Sequence, residues 1–167
     1  MRLAATAFCV ILGSCTTVSP DEPQLGMASD GTLMNPHGIW RYAAASTRLP
    51  LNKTYQQLTQ EQRAVLWIFY EAMPESDEPP FPVDGLQSIV GPLVKSQGKL
   101  LVQGKLALVA DVSSSGRVAS VTAYGSPSPE MTKFASQVLL LTEFMPAVCS
   151  GSPCMMQFPF YLEFKVR

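Results

Sequence analysis

The chain has 167 residues, 47% of them hydrophobic, with 12 basic and 13 acidic side chains and a formal net charge of −1. That length accommodates one or two small domains with enough apolar residues for a core. No basic stripe exists, which argues against nucleic acid or anionic lipid headgroups as primary partners and leaves protein or peptide.

The first 14 residues carry one basic side chain, Arg2, and an uncharged apolar stretch from Leu3. The stretch closes on Ile11, Leu12, Gly13 and Ser14, immediately before Cys15. A short charged start, a short apolar run and small residues at the exit have the layout of an export signal, too short to span a membrane. The Leu-Gly-Ser-Cys ending resembles the lipobox of bacterial lipoproteins. That resemblance implies removal of residues 1–14 and lipid attachment at Cys15, the first residue of the mature chain. A plain export signal with Cys15 unmodified is the alternative. After cleavage no apolar stretch reaches the roughly 18 to 20 residues of a spanning helix. The expected location is the periplasmic side of a bacterial membrane, lipid-anchored. Thr16 in place of Asp after the cysteine resembles the sorting pattern for the outer membrane.

Residues 15–57 read as a tether, with Ser, Thr, Pro, Gly and Asn scattered and no sustained period. A flexible stretch of this length spans roughly 35 Å on average. Leu33, Met34, Ile39 and Trp40 are apolar enough for part of it to dock on the folded body.

Residues 58–98 form an expected helical segment. Thr59 and Gln62 make a capping-box pair, and Ala64, Val65, Ile68, Phe69, Ala72 and Met73 follow at helical spacing up to Pro74. Trp67, Phe69 and Tyr70 are expected on a packed helix face, with a ligand platform as the less favoured reading. Glu75, Asp77 and Glu78 beside Pro79 and Pro80 read as a solvated acidic linker, because no further oxygen ligands for a cation are fixed nearby. Asp84 is a candidate cap for a second helical stretch bearing Leu86, Ile89, Val90, Leu93 and Val94. Pro92 inside it predicts a kink or two short pieces.

Residues 99–167 carry the clearest pattern. Leu106, Leu108, Ala110 and Val112 alternate with Lys105, Ala107, Val109 and Asp111, the period of a strand. Ser113, Ser114, Ser115 and Gly116 make a turn in which Gly116 takes positive φ, and residues 118–123 return as a second strand. Ser128 and Pro129 open a helix as cap and first residue, with Met131, Phe134, Ala135, Val138 and Leu139 as its stripe. The closing strand puts Met156, Phe158, Phe160, Leu162, Phe164 and Val166 on one face, with Gln157, Tyr161, Glu163 and Lys165 on the other. The order strand, strand, helix, strand places the first strand in the centre and the last at an edge. The fold class is therefore α+β: an N-terminal helical segment, then a three-stranded antiparallel or mixed sheet packed on a helix.

Two cysteines beyond the anchor, Cys149 and Cys154, bracket Ser150, Gly151, Ser152 and Pro153. These turn formers bring the thiols within bridging reach, and in an oxidising compartment a disulfide is the expected state, with free thiols the alternative. No cysteine or histidine elsewhere completes a zinc site.

The stretch 104–112, Gly116, Arg117 and Val118, the helix after them, and Phe144, Met145, Pro146 and Ala147 together resemble the C-terminal domain of TonB-type energy transducers. Gly151, Ser152 and Pro153 before the phenylalanine-rich end, and Pro80, Phe81 and Pro82 ahead of the first strand, are similar to that family too. The resemblance covers residues 79–167, about half the chain. It implies a periplasmic sheet domain that adds an extended segment of an outer-membrane protein to an edge strand. On this chain the edge would be the face of Gln157, Pro159, Tyr161 and Glu163. Three departures stand out. A lipid signal and short tether replace the uncleaved anchor and proline-rich rod, the stretch between Pro82 and Gly104 is longer, and Pro159 removes a donor from the middle of the edge.

The expected function is a lipid-anchored periplasmic protein-binding module in transport or assembly, with a periplasmic or outer-membrane protein as partner. The alternative is a structural lipoprotein that uses the fold without strand capture and presents residues 59–73 instead. No enzyme is expected. His37 is the one histidine, in a loop-like Asn-Pro-His-Gly stretch, and no nucleophile elbow, phosphate loop, zinc helix or cofactor motif occurs.

Overall fold

A computed structural model describes residues 33–35, 38–40, 49–70 and 73–165. Residues 1–14, expected as an export signal, and Cys15, Thr16, His37 and Val166 lie outside the described residues. Within the expected tether, β1 (Leu33–Asn35) and β2 (Gly38–Trp40) form an antiparallel pair, Met34 opposite Ile39.

Residues 49–57 of the expected tether belong instead to the folded body. Leu49, Tyr55 and Leu58 are buried in the main core, and a 3-10 turn covers Tyr55–Gln57. Tyr55 stacks at a tilt on Phe81, with ring centroids 6.0 Å apart, and the Arg63 guanidinium lies 4.8 Å from its ring centre. Aromatic burial at Tyr55 offsets the ordering of this stretch; composition alone reads it as loop.

α1 (Gln60–Trp67) starts where the capping box placed it. Thr59 accepts from the Gln62 backbone, and the Gln62 side chain accepts from the Thr59 backbone. It stops after eight residues instead of continuing to Met73. Leu66 is its buried residue, with Val65 and Trp67 packed against the core, while Ala64 and Ile68 are exposed. Of the expected stripe, Ile68, Phe69 and Met73 lie beyond the helix end, and Ala72 falls outside the described residues.

The acidic loop is not a solvated linker. Asp77 is 7% exposed, and its Oδ1 accepts from the Ser150 backbone at 2.9 Å and the Ser76 hydroxyl at 3.2 Å. Glu78 exchanges two backbone hydrogen bonds with Val148, both 2.9 Å, and Pro79 and Pro80 are fully buried. A buried carboxylate persists only with donors, and here a turn amide far along the chain supplies one. β3 (Phe81–Pro82) follows.

α2 (Gln87–Leu100) is one continuous helix with Pro92 inside it. Its cap is Leu86, without a side-chain bond, and Asp84 is exposed outside the helix. Ile89, Val90 and Leu93 are buried, so packing of that face outweighs the hydrogen bond Pro92 deletes.

The C-terminal half follows the expected order. β4 (Gly104–Val112) and β5 (Val118–Gly125) form a hairpin, α3 (Pro129–Leu141) crosses over, and β9 (Met156–Phe164) returns. The sheet is antiparallel, with order β5-β4-β9. Leu106, Leu108, Ala110 and Val112 meet Phe158, Phe160 and Phe164 beneath Met131, Ala135 and Leu139 of α3. Beyond α3, β6 (Phe144–Met145) pairs with β3, and β7 (Ala147–Cys149) pairs with β8 (Ser152–Cys154). α+β is thus the class of the fold.

One face of β4 departs from the expected wet side. Ala107 and Val109 are each 2% exposed although they point away from α3. Both are small and sit between two flanking strands; Val109 lies opposite Thr122 on one side and Pro159 on the other. A central strand is shaded on both faces, as its near-continuous apolar run allows.

Candidate functional site: the β9 edge

β9 pairs with β4 along its whole length, Gly104 opposite Phe164 through Val112 opposite Met156, and with no other strand. It is an edge strand among the described residues. Gln157, Pro159, Tyr161 and Glu163 share the face turned from α3, since Phe158, Phe160 and Phe164 take the core face.

The Tyr70 hydroxyl donates to the Gln157 carbonyl oxygen at 3.0 Å. That carbonyl therefore points away from β4, and alternation gives Pro159 the same outward backbone orientation. The missing N–H of Pro159 thus falls on the open side, where it interrupts no bond to Val109. Beyond the strand end, Gln97 of α2 donates to the Lys165 carbonyl at 3.1 Å. Side chains from two other elements therefore hold carbonyls near both ends of this edge.

The edge is flanked by a cleft. Leu66, Phe69 and Tyr70 line one wall, and Phe158, Pro159 and Tyr161 the other. Its cavity volume is about 30 Å³, room for a water or two and not for a peptide side chain. Burial, and to a smaller extent the nearby Tyr55, pushes the Tyr70 phenol far above its ordinary value. Burial, then Glu163, raises Tyr161 as well. Both rings stay neutral hydrogen-bonding groups at physiological pH. Glu163 meets Lys165 at 3.3 Å in an exposed ion pair of small energetic consequence.

A polar row crosses the same face. Gln157 Nε2 donates to Asp111 Oδ1 at 3.1 Å, and the Ser120 hydroxyl donates to Asp111 Oδ2, joining β9, β4 and β5. The row positions Gln157 on this face. Among the described residues no three His, Cys, Asp or Glu side chains converge for a metal ion.

The second expected pair of residues is brought together. Cys149 and Cys154 are disulfide-bonded, with Cα atoms 5.7 Å apart, closing β7 on β8. Ser150 (φ +50°) and Gly151 (φ +81°) form the two-residue turn, and this tip receives Asp77. Sequence reasoning missed Tyr70 as a member of the site. It read Tyr70 as helix packing, and 87 residues separate it from Gln157.

No helix among the described residues is long and apolar enough to cross a membrane. Compared with known proteins, the chain matches no family model and no curated protein.

Proposed function

We propose that the chain is a lipid-anchored periplasmic protein-binding module that takes an extended segment of a periplasmic or outer-membrane protein onto the β9 edge. The observation that carries this reading is the position of β9, a nine-residue edge strand whose Gln157 carbonyl is held by a single hydroxyl. An outward carbonyl is an acceptor for an added strand, and displacement of Tyr70 makes it available. The order strand, strand, helix, strand, with the last strand at the edge, agrees with the resemblance to TonB C-terminal domains. The lipobox-like residues before Cys15, with Thr16 after it, support a lipid anchor at the outer membrane.

A photoreactive amino acid placed at Glu163 in living cells tests the proposal. Crosslinks to one membrane or periplasmic protein, mapped to an extended stretch of it, are expected. Absence of a crosslink from Glu163, with capture from Ala64 on the exposed side of α1, contradicts strand addition.

That second outcome corresponds to a structural lipoprotein whose partner meets α1. The Tyr70 contact together with the donor lost at Pro159 favours it, since both discourage an added strand. Ala64→Glu then abolishes association, whereas Pro159→Val leaves it unchanged.

A further inference from the structure

α2 and α3 pack on each other, and a groove opens between the start of one and the end of the other. Its cavity volume is about 460 Å³, within the range that ligand pockets occupy. Asp84, Ser88 and Pro92 line the α2 side. Val138, Leu141, Thr142 and Glu143 line the α3 side. None of them lines the cleft at β9, so the site stands whether or not β9 takes a strand.

Every polar side chain of this groove presents acceptors. The Ser88 hydroxyl donates to the Gly85 carbonyl at 2.8 Å and the Thr142 hydroxyl to the Val138 carbonyl at 2.7 Å. Each hydroxyl oxygen therefore has only lone pairs left to offer. Asp84 and Glu143 are exposed carboxylates, and no lysine or arginine among the described residues forms an ion pair with either. Pro92 adds a further acceptor. It has no N–H for the Ser88 carbonyl one turn before it, and that carbonyl lies on the wall between the two residues. The amides that open α2 are, in contrast, already used. Gln87 donates to the Leu51 carbonyl at 2.7 Å, Ser88 to Gly85 at 3.3 Å and Ile89 to Leu86 at 3.1 Å. The groove therefore suits a donor-rich cation rather than an anion.

We infer that this groove receives an arginine side chain from a segment of a partner protein in which apolar residues flank the arginine. A guanidinium carries only donors, which matches a groove of acceptors, and its methylene stem suits the apolar surface of Pro92, Val138 and Leu141. A bare metal ion would leave that apolar surface unused, and among the described residues no three His, Cys, Asp or Glu side chains converge to hold one. A free small amine would fill the cavity and reach no further. Leu141 is 85% exposed, and Leu140 and Val83, next in sequence to groove residues, are each 46% exposed. The apolar neighbours of an arginine within a chain find their contact there.

Amide NMR of the full chain in neutral detergent tests this with the probe acetyl-Leu-Arg-Leu-amide. Saturable shifts are expected at Ser88, Leu141, Thr142 and Glu143. The citrulline analogue of the probe, alike in shape but uncharged, is expected to cause none. Asp84→Asn and Glu143→Gln are each expected to weaken binding by about fivefold or more. Both side chains are exposed, so the fold tolerates the changes. No saturable shift at about 1 mM probe, equal binding of the citrulline analogue, unchanged affinity in both variants, or shifts confined to β9 overturns the inference. Agmatine that binds as tightly as the peptide would assign the groove to a small amine, and calcium chloride that reproduces the shifts would assign it to a metal ion. Either result also overturns it.

Discussion

Gly116 takes φ +78°, and a Cβ there would collide with the Phe144 backbone oxygen, while the Phe144 N–H donates to the Gly116 carbonyl at 3.0 Å. The hairpin turn and the start of β6 are thus held together by backbone approach at a glycine. Gly116→Ala is expected to cost more than about 2 kcal/mol in urea unfolding, because strain and displacement add. A cost below half of that would show the turn relaxing freely. Positive φ at Gly116 was legible, since a glycine ends a serine run between two alternating strands. Tyr70 was not, because its role depends on which strand lies beside it in space. Its phenol is raised by burial above the ordinary 10.0, so the unfolded chain loses this proton near pH 10 while the folded chain keeps it. The unfolded state then binds fewer protons, and the stabilisation, complete below pH 10, declines as pH rises further. Tyr70→Phe is expected to cost about 1 kcal/mol at pH 7 and to flatten the decline above pH 10, measured by denaturant melts. An equally steep alkaline loss in both proteins would remove Tyr70 as its source.

Elements with a strong local signal were placed well. Ser128 caps α3 by accepting from Met131 at 3.1 Å, with Pro129 at its first position, and β4 and β9 show their alternation directly. Elements whose extent depends on distant partners were not. α1 ends after two turns because Phe69 and Tyr70 turn aside to line the cleft at β9. α2 stays continuous through Pro92 because its other face is buried. The acidic loop looked solvated because its partner, the disulfide hairpin tip, lies 73 residues away. That hairpin makes a prediction at this scale. Joint Cys149→Ser and Cys154→Ser substitution is expected to lower stability by about 2 kcal/mol on the loop-entropy account. Asp77 loses its fixed donor as well, so amide exchange at residues 77–78 accelerates in the same variant. Unchanged exchange there would separate the loop from the disulfide.

At the scale of the molecule, a small core unites three layers of sequence. The closing sheet and α3 form one, α2 and β3 another, and residues 49–67 pack across them. The proposed lipid anchor at Cys15 predicts that Cys15→Ala releases the protein from the membrane fraction and abolishes incorporation of labelled fatty acid. Continued sedimentation with membranes in that variant would show another means of attachment. The β9 edge, guarded by the Tyr70 hydroxyl and by Pro159, is proposed for a foreign strand. Recovery of partners from envelope extracts by the full chain tests strand capture most directly, with wild type, Pro159→Val and Tyr70→Phe compared side by side. The account predicts one shared partner, retained more strongly by both variants because each frees a backbone group on the β9 edge. Equal recovery by all three forms, or no partner from any, contradicts it.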